Sequence, residues 1–171
     1  MKNKNIIIIA IIVILVIGGL IWFLSFGTSR QNSGAVNVIS NSALVAEEPA
    51  FDFGTIPMAD GNAFYKFKLK NEGNEKIIIK KVYTSCMCTT AVIIDENGKE
   101  LGIFGMPGHG GGLSAANIEV KNGESIIVEA VFDPVAHGPE DIGKVKRLIY
   151  LETNSKINPT LQLSIEANVI K

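Results

Sequence analysis

The sequence YKFKLK, residues 65–70, alternates strictly between apolar and charged side chains. Because successive side chains of a β-strand point to opposite faces, Tyr65, Phe67 and Leu69 are predicted to share one face and the three lysines the other. The sequence LQLSIEANV, residues 161–169, alternates in the same way. Both stretches are therefore predicted to be half-buried β-strands.

The region around these two stretches contains further short β-prone runs and no helical stripe. Strands are predicted at 51–56, 76–84, 91–95, 100–104, 117–120, 125–132 and 146–153. Turn signals that can supply a positive φ separate them, namely Asp60-Gly61, Asn71-Glu72-Gly73, Asn97-Gly98 and Asn122-Gly123. Short strands at this spacing predict an all-β domain over residues 50–171, an antiparallel β-sandwich of seven to nine strands.

The N-terminus carries an uncharged apolar run, IIIIAIIVILVIGGLIWFL, at residues 6–24. As a helix it would extend roughly 28 Å, enough to span a bilayer core. Lys2 and Lys4 precede it, so a cytoplasmic tip is predicted at 1–5 and a single-span membrane anchor at 6–26. The remaining chain is predicted to lie outside the cytoplasm, attached to the cell membrane.

A cleaved signal peptide is the alternative interpretation of this run, because small residues occur near 25–27. The run is longer than the usual signal-peptide core of about 7 to 15 residues, which favours an uncleaved anchor. Residues 27–49 are rich in Ser, Asn, Gly and Ala and are predicted to form a flexible tether with a reach of roughly 25 Å.

Charge composition limits the classes of partner. The chain has 16 basic and 17 acidic residues, a formal net charge of −1. A nucleic-acid partner would require a clustered basic face. The row formed by Lys66, Lys68 and Lys70 is explained as the solvated face of one alternating strand. The predicted partners are therefore the membrane, through the anchor, and another envelope protein, with no nucleic acid.

An ordered series of motifs runs through the predicted domain. It consists of FDFGTI at 51–56, FKLKNEGNEKIIIKKVYTSCMCTT at 67–90, VKNGESIIVEAVFDP at 120–134, IYLETN at 149–154 and LQLSIEANVI at 161–170. The series resembles a bacterial Ig-like domain of unknown function, related to the hydin-type and major-sperm-protein-like sandwiches. The resemblance implies an Ig-like fold of seven or eight strands and an envelope location, and it implies little about activity. The chain departs from the family pattern at Met87, where a small residue is expected, and in a long Gly-rich loop at 102–117.

The loop at 102–117 is not a phosphate cradle, because no Gly-Lys-Ser/Thr sequence follows it and no strand-to-helix context surrounds it. It is predicted to connect the two sheets flexibly. It contains His109 and Met106, and the only other histidine of the chain is His137.

Cys86 and Cys88 are the only cysteines, one residue apart. If the strand at 76–84 continues through them, their Cα atoms lie about 6.6 Å apart on one face. Three interpretations stay open. The thiols are buried as small hydrophobic groups, they form an easily reduced disulfide, or they bind a soft metal such as copper(I). The candidate completing ligands are His109, His137 and Met106.

Enzymatic chemistry is not predicted, because no residues resemble an oxyanion hole or a pair of catalytic carboxylates. We expect no catalytic residues and no cofactor other than the candidate copper ion. The predicted function is a membrane-anchored Ig-like module for protein interaction or envelope scaffolding. The first alternative is a copper-binding or copper-delivering protein that uses Cys86 and Cys88, and the second is a thiol redox role.

Overall fold

The computed structural model describes Leu15, residues 39–109 and residues 115–171. The latter two ranges lie in one compact unit, Asn37–Lys171, and contain ten strands and two short 3₁₀ helices. The strands are β1 Leu44–Ala46, β2 Ala50–Pro57, β3 Ala63–Asn71, β4 Ile77–Thr84, β5 Thr89–Asp95, β6 Glu100–Phe104, β7 Ala115–Val120, β8 Ser125–Phe132, β9 Gly143–Thr153 and β10 Thr160–Ile170. The 3₁₀ helices span Met58–Asp60 and Gly138–Asp141.

The strands form two five-stranded sheets, which confirms the predicted β-sandwich. The first sheet has the order β1-β3-β8-β5-β6 and the second the order β2-β10-β9-β4-β7. Nine of the ten described strands correspond to predicted ones, and the additional strand is β1.

One strand pair departs from the predicted antiparallel arrangement. The strand β2 pairs in parallel with β10, with Phe51 opposite Ile165. Parallel neighbours cannot be joined by a tight hairpin, and here the chain passes through all the intervening strands before β10 reaches β2. The chain thereby brings its first long strand and its last strand together at one edge of the second sheet.

The core is formed by the inward positions of both sheets, as the alternation predicts. On β3, Phe67 and Leu69 are buried, whereas Lys66, Lys68 and Lys70 are exposed. The inward residues of β10 are buried in the same way, namely Leu163, Ile165, Ala167 and Val169. The two-residue period of the sequence therefore determines which side chains lie between the sheets.

The segment before residue 49 differs from the predicted tether. Ser40, Ser42 and Leu44 are buried, and β1 pairs with the end of β3. The hydroxyl of Ser155 donates a 2.6 Å hydrogen bond to the carbonyl oxygen of Ser42, and the Ser42 hydroxyl accepts one of 2.8 Å from the backbone N–H of Glu75. Serines that suggest a solvated linker are used here as buried hydrogen-bonding groups, so the sandwich includes residues 40–46.

Glu75 also contacts Asn41, whose backbone N–H donates a 2.7 Å hydrogen bond to the Glu75 carboxylate. This bond to the charged form holds the pKa of Glu75 below its ordinary value. Nearby, a Cβ added at Gly73 would lie 2.5 Å from the Cα of Ser42. Gly73 therefore permits the close approach of two backbones, whereas Gly98 and Gly123 supply the positive φ that the sequence predicts for their turns.

The predicted anchor at 6–26 lies outside the described residues except for Leu15, as do the predicted tip at 1–5 and the tether up to residue 38. Over the described parts of the chain, we find no helix with the length and apolar character that a membrane span requires.

Candidate functional site

The two cysteines lie in the turn that carries the chain from one sheet to the other. The strand β4 of the second sheet ends at Thr84, and β5 of the first sheet begins at Thr89. The backbone N–H of Thr89 donates a 3.1 Å hydrogen bond to the carbonyl oxygen of Cys86, which closes the turn. Cys86 and Cys88 are joined by a disulfide, with their Cα atoms 5.3 Å apart. The strand does not continue through the cysteines as assumed, and the bend brings the two residues within bridging range.

The residues beside the cysteines fix this turn to its neighbours. The Ser85 backbone N–H donates to the carbonyl oxygen of Leu148, and the Leu148 backbone N–H donates to the Ser85 hydroxyl, both at 2.9 Å. On the other side, the backbone N–H of Asp133 donates a 2.8 Å hydrogen bond to the carbonyl oxygen of Cys88. The turn is therefore held by β9 of one sheet and by the end of β8 of the other.

His137 joins the cysteines from a distant part of the sequence. It directly precedes the second 3₁₀ helix, and its Nε2 atom lies 3.1 Å from the Sγ atom of Cys86. The ligand atoms of Cys86, Cys88 and His137 all lie within 4.8 Å of one another. The structure thus brings together three of the five residues that the sequence suggested as metal ligands.

The other two suggested ligands, Met106 and His109, lie after β6. His109 is exposed, and its backbone N–H donates a 3.4 Å hydrogen bond to the carbonyl oxygen of Met106. His109 is not part of the cluster formed by the cysteines and His137 among the described residues. The Gly-rich loop that follows β6 begins near the cysteine turn, since the backbone N–H of Thr84 donates a 3.3 Å hydrogen bond to the carbonyl oxygen of Gly105. The side chain of Met106 is half-buried.

Arg147 and Asp141 complete the surroundings of the disulfide, and the sequence analysis did not identify either. The Nε–H of Arg147 donates a 3.0 Å hydrogen bond to the Sγ atom of Cys88, and another guanidinium N–H donates a 2.7 Å bond to Oδ1 of Asp141. A signal for Arg147 exists in the sequence. In GKVKRLIYL, residues 143–151, it occupies the same face of the strand as the inward Val145 and Ile149.

Burial strengthens the electrostatic interaction between Arg147 and Asp141, because solvent screens it less. The side chains of Arg147 and Asp141 are 17% and 11% exposed. The second carboxylate oxygen of Asp141 is buried without a hydrogen-bond partner in the described part of the structure. The charge of this carboxylate is therefore balanced by the Arg147 guanidinium.

The donor set allows two kinds of chemistry. With the disulfide reduced, two thiolates and an imidazole can converge on one soft metal ion. With the disulfide formed, the sulfurs are the reactive atoms for exchange with another thiol. Arg147 places a positive charge beside Cys88 in the disulfide state, at a position where it can offset thiolate charge on reduction.

A model of a domain family described as protein of unknown function (DUF1573) matches residues 44–100. The match includes β1 to β5 and the cysteine turn. A search of curated proteins found no significant sequence match.

The domain is similar to several solved structures. A protein of unknown function from Porphyromonas gingivalis W83 aligns with a TM-score of 0.55 and 17% identity, over 80% of this chain and 51% of that protein. This chain thus spans about half the length of that protein. The ASH/PapD-like domain of human CEP192 aligns with a TM-score of 0.42 and 17% identity, over 75% of this chain and 85% of that domain. The YadV chaperone aligns with a TM-score of 0.46 and 7% identity, over 75% of this chain and 52% of the chaperone. At 17% identity, the alignment with the Porphyromonas gingivalis protein shows a similar fold alone.

Proposed function

We propose that the domain, in its reduced state, binds copper(I) through Cys86, Cys88 and His137. The observation that carries the proposal is the convergence of three soft-metal donors from two separate connections, within 4.8 Å of one another. Ligands bound to one ion at about 2.0–2.3 Å lie at most about 4.6 Å apart, so on reduction the two sulfurs need to separate from bonding distance while His137 stays near them. Thiolate sulfur and imidazole nitrogen are donors that suit copper(I).

The charge around the site also supports the proposal. Two thiolates and one copper(I) ion carry a net charge of −1, and Arg147 lies 3.0 Å from the sulfur of Cys88. A guanidinium at this position offsets the remaining negative charge. Reduction is required first, because each sulfur of a disulfide lacks the thiolate charge that binds metal.

An anaerobic titration of the reduced full-length protein against a chromogenic copper(I) chelator tests the site. We expect stoichiometric binding. Cys86→Ser and Cys88→Ser are each expected to lower the affinity by about 100-fold or more, because changing even a residue that only supports a ligand lowers metal affinity by about 10–100-fold. His137→Ala is expected to weaken binding by about tenfold or more, whereas the matched control His109→Ala retains the affinity of the unsubstituted protein.

Three outcomes of this titration would contradict the proposal. They are a reduced protein that does not compete with the chelator, equal effects of the two histidine substitutions, and copper(I) binding by the oxidised protein. A parallel titration with zinc(II) measures metal preference, and tighter binding of zinc than of copper(I) would also contradict it.

We also propose that the module is anchored in the cell membrane by residues 6–26, is not an enzyme, and interacts with another envelope protein. The support is the apolar run at 6–24 with the lysines that precede it, together with a β-sandwich fold that is compatible with a protein interaction module. Protease added to spheroplasts is expected to degrade the domain, and high salt is expected to leave it in the membrane fraction. Recovery of a soluble form that begins near Thr28 would contradict the anchor.

A further inference from the structure

The two sulfurs of the disulfide differ in their access to solvent. Cys86 is half-buried and lines an open surface depression together with His137, Lys146 and the Asp141–Arg147 pair. Cys88 is 2% exposed and belongs to the hydrophobic core. A thiol that approaches from solvent therefore reaches the Cys86 sulfur first.

The two sulfurs also differ in the groups that contact them. The sulfur of Cys88 accepts the 3.0 Å hydrogen bond from Arg147, whose guanidinium is held in place by Asp141. The sulfur of Cys86 lies 3.1 Å from Nε2 of His137 and accepts a 3.3 Å hydrogen bond from the backbone N–H of Cys88. The Arg147 guanidinium is thus placed at the sulfur of the buried Cys88, whereas the sulfur of the half-buried Cys86 is contacted by an imidazole nitrogen and a backbone N–H.

We propose that the Cys86–Cys88 disulfide undergoes directional exchange with thiols, in which Cys86 is attacked and Cys88 is the leaving group. An external thiolate attacks Sγ of Cys86 in line with the disulfide. A new bond forms between the external sulfur and Sγ of Cys86, and the Cys86–Cys88 bond breaks. The bonding electron pair goes to Sγ of Cys88, where the Arg147 guanidinium stabilises the thiolate.

A second external thiolate then attacks the sulfur of the first external thiol in the mixed disulfide, and Cys86 is released as a thiolate. The backbone N–H of Cys88, 3.3 Å from that sulfur, is in place to stabilise it. In sum, two external thiols are oxidised to a disulfide, and the protein disulfide is reduced by two electrons. The substrate class is a thiol, either a small molecule or a protein cysteine, and no metal takes part.

The position of attack tests the proposal in the full-length protein. The oxidised protein is treated with reduced glutathione under anaerobic conditions with a metal chelator, quenched with acid, and mapped by peptide mass spectrometry. We expect glutathione on Cys86 rather than Cys88, in a ratio of about ten to one or more. Equal labelling, or labelling mainly on Cys88, would overturn the directional mechanism.

The single-cysteine variants give a second measurement that does not depend on trapping a short-lived species. In Cys88→Ser the remaining Cys86 thiol is expected to react with oxidised glutathione about tenfold faster or more than the Cys88 thiol of Cys86→Ser, because burial limits access to Cys88 although Arg147 favours its thiolate. Similar rates would contradict the assigned roles. Because both experiments exclude metal, their failure is separate from a failure of copper binding.

The role of Arg147 at the leaving sulfur is tested by an uncharged pair. In Asp141→Asn/Arg147→Gln, the buried pair loses both charges together, which avoids an unpaired charge in the core. We expect reduction by glutathione to slow by about tenfold or more, because the leaving thiolate loses a charged hydrogen bond. Arg147→Lys keeps the charge but not the guanidinium geometry, and it is expected to react faster than the double variant. The control Lys144→Gln, an exposed lysine of the same strand outside the depression, is expected to remain within about threefold of the original rate. A double variant that reacts at the original rate would overturn the role of Arg147.

Discussion

Replacing Arg147 with Met is expected to lower the free energy of unfolding by about 3–5 kcal/mol, because the substitution leaves Asp141 as an uncompensated buried charge. The side chain of Asp141 is 11% exposed and pairs with Arg147 at 2.7 Å. Its second carboxylate oxygen is buried without a hydrogen-bond partner in the described part of the chain. Chemical denaturation of the full-length protein, followed by the circular dichroism of the β-sheets, measures the effect.

Two further variants separate the buried charge from other causes. Asp141→Leu/Arg147→Met removes both charges and is expected to recover most of the lost stability. Lys146→Met removes an exposed ion pair with Glu166, in which the side chains are 58% and 46% exposed, and is expected to cost at most about 1 kcal/mol. If Arg147→Met were no more destabilising than Lys146→Met, the assignment of a buried charge pair would be wrong.

Replacing Phe67 with Ala is expected to cost about 3–5 kcal/mol, the range found when a large aromatic side chain is removed from a packed core. Phe67 is 1% exposed, and its ring packs edge-to-face against Tyr65 with centroids 4.8 Å apart. The cost combines the lost burial of apolar surface with the cavity that remains between the sheets.

The same strand provides the matched control. Phe64 is 57% exposed and lies on the solvent face of β3. Phe64→Ala is expected to change the free energy of unfolding by no more than about 0.5 kcal/mol, as for other surface substitutions. Equal costs for the two variants would show that the strand does not present the face that its alternation predicts.

The fold could be predicted from the sequence because its main signal is local. Alternation over residues 65–70 and 161–169 identifies the buried face of each strand without knowledge of its partners. The parallel pairing of β2 with β10 could not be predicted in this way, because it depends on which distant strands become neighbours. The inclusion of residues 40–46 was missed for a different reason, since buried serines have the same composition as a linker until their hydrogen-bond partners are known.

The candidate site was only partly accessible to sequence reasoning. The spacing of Cys86 and Cys88 suggested paired sulfur chemistry, but the choice between His109 and His137 required knowing which connections share one end of the sandwich. Arg147 could have been identified as a charged residue at an inward position of an alternating strand. Asp141 gave no such signal, because it lies in a 3₁₀ helix with no two-residue period.

The domain has two distinct poles. At one pole, Ser40 forms a bridge with Ser155, and the neighbouring Asn154 is hydrogen-bonded to Ile78 near the start of β4. The disulfide turn follows Thr84 at the end of the same strand, six residues and about 20 Å farther along. The described chain thus enters the sandwich at one pole, near Ser40, and places its disulfide turn at the other, so the turn and the entry segment occupy separate surfaces of the domain.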